Sequence, residues 1–375
     1  MRLLLAGLLI MLWCLAAPAR AVDACPQLRL QTAAPDVATR VAATACHEHL
    51  LWYRPFIDRD GRLASAQVME AEDTLLEDQA TPAWQRVAQY WRETGLLSQL
   101  GLGDAGSCNT APVDPTMAPL CRGFLVDYAW SAAFVSWVMA KAGVPAFRLS
   151  ASHIDYVRDA FRAPERSPFL PTDPAIATPT QGDLLCHVRG RGDALGFTGL
   201  QRIASGHAGL NMHCDIVVAA NPGGDSTAYL IGGNVQQAVT MRLLPLNRKG
   251  AFWSLPQRAG GQAPCTPDNE AACNFNRQDW AVLLKLKSAE ELARLQPTPA
   301  PPGAAPTPPE QDDTGRRGIP PAQQAPPGTC CVQCVVGGGV PRCPAAPAAP
   351  HAVPAGQAPA GQAPAQAAPP ATPTP

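Results

Sequence analysis

From about residue 289 the chain stops supplying what a folded core needs. The segment 289–375 is dominated by Pro, Ala, Gly and Gln. Within it, Pro354-Ala355-Gly356-Gln357-Ala358 repeats as Pro359-Ala360-Gly361-Gln362-Ala363. Such a stretch cannot bury enough apolar surface to offset the entropy of ordering it. It predicts a disordered, extended tail with polyproline character, which could engage a protein partner. At the other end, Arg2, the apolar run from Leu3 to Leu15 and the small-residue site Ala19-Arg20-Ala21 read as a secretory signal over 1–21. Cleavage near Ala21 would deliver the chain to the periplasm or the medium. The run is too short for a membrane span, and no other segment reads as one. What is left to fold is 22–288, enough for one sizeable core with or without an N-terminal extension.

Cysteine usage fits that destination. The chain has 13 cysteines, and Cys14 falls in the signal. Cys25, Cys46, Cys108, Cys121, Cys186, Cys214, Cys265 and Cys273 lie in the folding part, an even count in a chain bound for an oxidising compartment. Spacing alone does not set the pairing. Short loops suggest Cys108–Cys121 and Cys265–Cys273, and Cys186 and Cys214 would sit on strands. Cys330, Cys331, Cys334 and Cys343 are expected to form disulfides in the tail. Cys331-x-x-Cys334 lacks the second pair a zinc ribbon requires. A net charge of −1 gives no reason to expect nucleic acid as a partner.

Periodicity places helices first and strands after them. Helices are expected over Val37 to Leu51 and over 82–98, where Trp84, Val87, Ala88, Trp91 and Leu96 share a face. Asp58-Arg59-Asp60-Gly61-Arg62 between them is a turn without the ligand spacing of a calcium loop. A further helix runs from near Trp130 to a stop at Gly143, and the stretch Ser150 to Val157 reads as another helix start. The Pro-rich segment 164–181 reads as loop. Strands are expected at Asp183–Val188, Cys214–Ala220, Ala228–Gly232, Val239–Leu244 and Ala281–Leu286. A helical front followed by an antiparallel meander is an α+β pattern.

Ser131 sits in the first turn of the third helix, where free N–H groups and the positive dipole end favour developing negative charge. It reads either as a cap or as a nucleophile. If the turn at Asn221-Pro222-Gly223-Gly224-Asp225 closes a hairpin, Gly233 and Asn234 fall roughly opposite His213. Alternation then sends Cys214 away from whatever His213 faces.

Trp130-Ser131-Ala132-Ala133-Phe134-Val135-Ser136-Trp137 resembles the nucleophile helix of the papain-like NlpC/P60 and CHAP cell-wall hydrolases. There, a Trp-Cys-Ala-Ala-Phe-Val stretch carries a cysteine at its second position. Gln181-Gly182-Asp183-Leu184-Leu185 resembles their Gly-Asp strand. His213-Cys214-Asp215-Ile216-Val217-Val218 resembles the strand bearing the catalytic histidine, and Ile231-Gly232-Gly233-Asn234-Val235 the segment that supplies a polar third member. All occur in the same order, over roughly 120–290, and the nearest likeness is to an uncharacterised bacterial branch with serine at the nucleophile position.

The resemblance implies N-terminal helices packed on a small antiparallel sheet, with a 22–119 helical extension before a 120–288 catalytic domain. It implies Ser131 as nucleophile, His213 as general base and Asn234 as the residue that orients it, acting on amide bonds of peptidoglycan or a similar peptide. Trp130, His153, Asp155 and Asp215 are expected to line the substrate cleft, with His153 and Asp155 either on its rim or simply in a helix start capped by Ser152 with Asp155 in the first turn. No cofactor and no metal are expected. A serine cannot ionise as a cysteine does beside histidine, so it would need proton removal during attack. A non-catalytic wall-binding or scaffold module using the same cleft is the alternative. A zinc hydrolase built from His153, Asp155, His207, His213 and Asp215 is the third, though no His-Glu-x-x-His is present.

Overall fold

The computed structural model describes residues 23–100, 105–190, 194–252, 255–258, 265–295, 335–337 and 340–342. The expected signal over 1–21, nearly all of the expected tail, and Cys14, Cys330, Cys331, Cys334 and Cys343 lie outside them. The chain divides into a unit over 1–316 and one over 317–375. In the second, Val335–Gly337 pairs antiparallel with Val340–Arg342.

The first unit is α+β. Its helix Val37–Leu51 begins where the Asp36 carboxylate accepts from the Thr39 N–H at 2.8 Å. Helix Ala83–Glu93 follows Pro82, and helix Ser131–Lys141 ends before Gly143, which holds φ at +65°. That last helix is buried at every residue from Ser131 to Met139, not only along one face. It lies between the two earlier helices and the sheet, so it has no solvent side over those turns.

The sheet has eight strands among the described residues. These are β1 (Phe56–Ile57), β2 (Leu63–Ala64), β3 (Phe169–Thr172), β4 (Leu184–Val188), β5 (Met212–Ala220), β6 (Thr227–Val235), β7 (Ala238–Pro245) and β8 (Asp279–Leu286), in the order β2-β1-β7-β6-β5-β4-β8-β3. All neighbours are antiparallel except β1 with β7. It is larger than the sheet expected, and β8 inserts between β4 and β3, so it is not a plain meander. The 164–181 segment is not all loop. It gives β3, and Pro171 is tolerated there because β3 is an edge strand. The 22–119 segment is not only helical either. The Asp58–Arg62 turn joins β1 to β2, and both extend the sheet. Its helices share one apolar core with the Ser131 helix. Order also continues past 288: Ser288 and Glu291 form a reciprocal capping box that starts helix Ala289–Arg294, and Leu292 is buried.

All eight cysteines among the described residues are paired, as Cys25–Cys46, Cys108–Cys121, Cys186–Cys214 and Cys265–Cys273. Cys186 and Cys214 are direct partners across β4 and β5, with Cα atoms 4.0 Å apart. This pairing points to an oxidising, extracytoplasmic compartment. No single described helix is long and apolar enough to cross a membrane.

The two faces of the sheet differ. Met212, Cys214, Ile216 and Val218 of β5 join the core shared with the helices. Val217 instead joins Leu185, Leu230, Leu244, Trp280 and Leu283 in a second cluster. Strand alternation therefore puts Cys214 on the helical side and sends His213 and Asp215 to the other.

Candidate active site

Ser131 is the first residue of its helix, and its hydroxyl Oγ lies 2.7 Å from His153 Nε2. His153 opens helix His153–Arg162 after Ser152, with Asp155 in the first turn. One turn on, Tyr156 brings its hydroxyl to His153 Nδ1. Ser131 and His153 are each only 4% exposed. Burial holds His153 well below the ordinary imidazole range, helped by the charges of His213 and Arg189 and opposed by Asp215. It is therefore neutral at ordinary pH. Burial also pushes the Tyr156 hydroxyl up, so it stays protonated.

His213 is not the partner of Ser131. Its Nε2 is 2.7 Å from Asp215 Oδ1, and Arg242 Nε donates to Asp215 Oδ2 at 3.0 Å. Its ring lies 5.3 Å from that of His153 and 5.2 Å from that of His187, its register partner on β4. All of these groups are buried. His213 Nδ1 and His187 Nδ1 have no hydrogen-bond partner among the described residues. Burial lowers both histidines. For Asp215 burial would act upward, but His213 and Arg242 outweigh it and hold the carboxylate ionised. Gly232 makes the arrangement possible. A Cβ there would lie 1.9 Å from Asp215 Oδ1 and 2.9 Å from His213 Nε2.

Asn234 does not orient His213. The register Ile216↔Ile231, extended along both strands, does set Asn234 across from His213, but pairing of β5 with β6 ends at Ile216. β6 is irregular between Gly232 and Val235, and Asn234 takes φ of +56°. With its amide turned to suit its neighbours, Asn234 donates to Glu70 Oε2 at 3.1 Å and accepts from the Trp130 N–H at 3.3 Å. Glu70 also accepts from Trp130 Nε1 at 2.6 Å. Burial raises Glu70, and the Trp130 hydrogen bond works against that. Together they fix the residue before Ser131, and hence where the helix starts.

Of the residues expected in a substrate cleft, Trp130 and Asp215 are instead core, and His153, expected on its rim, is buried against Ser131. Trp130 is fully buried, with its ring 5.8 Å from Trp52 and 5.6 Å from Tyr90. Asp215 is fully buried in its ion pairs. Asp155 is not part of the core. It is partly exposed, accepts from Ser150 Oγ at 2.7 Å, and lines a cavity of about 430 Å³ beside His153. Among the described residues no three His, Cys, Asp or Glu side chains are grouped to hold a metal. His207, of the zinc alternative, is exposed.

Glu70, Tyr156, His187, Arg189 and Arg242 are the neighbours that sequence reasoning missed. The His153-x-x-Tyr156 spacing on a helix was the one local signal for any of them. Glu70 and Arg242 reach the site from distant segments, and nothing near them in the chain marks it.

The fold and site belong to a family defined by sequence. The family model described as "Uncharacterized protein conserved in bacteria (DUF2272)" matches residues 78–286, more than half of the chain, and the protein is a member of that family. The match crosses from the N-terminal helices into the sheet and takes in Ser131, His153, His213 and Asn234. No curated protein and no solved structure matches the chain.

Proposed function

We propose that this protein is an exported hydrolase of amide bonds in cell-wall peptide or a similar peptide, of the papain-like NlpC/P60–CHAP type. Ser131 is its nucleophile and His153, in place of the expected His213, its base. The observation that carries this reading is the 2.7 Å contact between the Ser131 hydroxyl and a neutral, buried imidazole at a helix N-terminus.

With the Nδ1 proton held toward Tyr156, Nε2 is free to accept. Ser131 Oγ attacks the carbonyl carbon while His153 Nε2 takes its proton. The N–H groups of the first helical turn, free of intrahelical partners, face the developing oxyanion. His153 then gives the proton to the departing amine as the C–N bond breaks. Water, deprotonated by the same imidazole, releases the acyl group. The ionised Asp215, one imidazole away, favours the transient positive charge on His153 electrostatically.

The non-catalytic wall-binding module has one observation in its favour. Ser131 and His153 are nearly closed off, so substrate has to enter a tight space. One experiment separates the two. Purified sacculi and short wall peptides are incubated with the mature protein, and new amine and carboxyl ends are read by mass spectrometry. New ends made by the wild type and absent with Ser131→Ala support hydrolysis. Sacculus binding with no new ends supports the module.

A further inference from the structure

The cavity of about 430 Å³ next to His153 carries a charge pattern that the proposed reaction does not use. Ser152 and Ile154, on either side of His153, line it. So do Asp155, Arg158, Arg189 and Asn211. Two guanidinium groups therefore face one carboxylate.

That carboxylate is already engaged. Asp155 Oδ2 accepts from Ser150, and Oδ1 lies 3.9 Å from Arg158 Nη1. Arg158 is anchored: it donates to the Ala208 carbonyl, its side chain is only 11% exposed, and its Nε is buried with no hydrogen-bond partner. An orphaned N–H on a buried cation is costly unless something accepts from it. Arg189 stands just past the end of β4, with its charge felt at His153, His187 and His213. Among the described residues it has no ion pair and no side-chain hydrogen bond. Among the described residues the Arg158 guanidinium thus has a carboxylate nearby, whereas the exposed Arg189 has none at ion-pair distance.

We propose that this cavity is a subsite for a carboxylate on the substrate, held by Arg189 with Arg158 and set beside the bond that Ser131 attacks. A planar carboxylate matches the guanidinium fork and supplies the acceptors these groups lack. The substrate class becomes an acyl donor with a free carboxylate close to the reacting amide. The proposal rests on the hydrolase reading for its role, but not for its existence.

The test uses binding, so it does not depend on turnover. Mature Ser131→Ala protein is titrated by calorimetry with N-acetylglutamate N′-methylamide and with N-acetylglutamine N′-methylamide, near-isosteric probes with and without one negative charge. The glutamate probe is expected to bind at least about tenfold more tightly, a preference that high salt weakens. Arg189→Gln, an exposed change that should leave the fold intact, is expected to erase the preference, and Arg158→Lys to reduce it. Equal or undetectable binding of both probes overturns the subsite, and so does a preference that survives Arg189→Gln. Tighter binding of inorganic phosphate than of the glutamate probe overturns the carboxylate assignment. Carboxylate preference in a wild type that cleaves nothing leaves the subsite standing and removes the hydrolase. Cleavage without the preference does the reverse.

Discussion

At the scale of single residues the account turns on which histidine serves Ser131. His153→Ala is expected to lower kcat by on the order of 10²–10⁴, and adding Ser131→Ala should cost little more, because the two act as one unit. His213→Asn should cost far less than His153→Ala in whatever fraction stays folded, since His213 touches Asp215 rather than Ser131. Tyr156→Phe tests the tautomer. Without the hydroxyl at Nδ1 the imidazole can place its proton on Nε2, and kcat should drop at least about tenfold with KM little changed. Steady-state kinetics on a wall peptide reads all three. The sequence pattern led to Ser131 and to the strand alternation, but the histidine that meets Ser131 is His153 and not the expected His213, for a physical reason. Alternation separates His213 from Cys214, yet it does not say which of them the helices cover. The structure puts Cys214 under the helices, and the place beside Ser131 falls to a residue on the next helix.

At the scale of elements, helix Val37–Leu51 is pinned to helix Ala83–Glu93 by a buried charge cluster. Glu48, with no exposure, accepts from Arg86 Nε at 2.8 Å and from the Tyr90 hydroxyl at 2.5 Å, and Trp52 Nε1 donates to Tyr90 at 3.1 Å. Glu48→Ala leaves a buried guanidinium unpaired and should destabilise the fold by about 3–5 kcal/mol in urea unfolding. Adding Arg86→Met should recover much of that loss, and strict additivity would show that the pair is not a unit. Elements with a clear period were legible. Val37–Leu51 has the expected ends, and the five expected strands appear within a few residues of their places. β1 and β2 were not legible, because two residues carry no period and their pairing depends on β7. β3 was hidden by Pro171, which an edge position permits. The end of the folded part was set at 288 by composition, and a capping box overrode it.

At the scale of the whole molecule, buried neutral histidines make stability depend on pH. His49 is lowered to about 4 by burial, partly offset by its hydrogen bond to the Pro55 carbonyl, and His153, His187 and His213 are lowered too. The unfolded chain binds protons near 6.5 while the folded chain refuses them. Stability is therefore full above about pH 6.5 and is lost as pH falls toward the folded values. For His49 alone the loss by pH 4 is about 3 kcal/mol. A melting temperature that falls steadily from pH 7 to pH 5 is the expected result. The disulfides act at the same scale. Thiol titration of the denatured, unreduced fragment 22–295 should find none free among its eight cysteines, and several free thiols would contradict the oxidised fold.

Covalent labelling by a fluorophosphonate reports the activated hydroxyl directly, because the reagent reacts fast with a serine whose proton a neighbouring base can take. Intact-mass and peptide analysis of the wild type should show one adduct, on Ser131. The adduct should vanish in His153→Ala and persist in His213→Asn. No adduct on the folded wild type, or an adduct that needs His213 and not His153, would contradict the account.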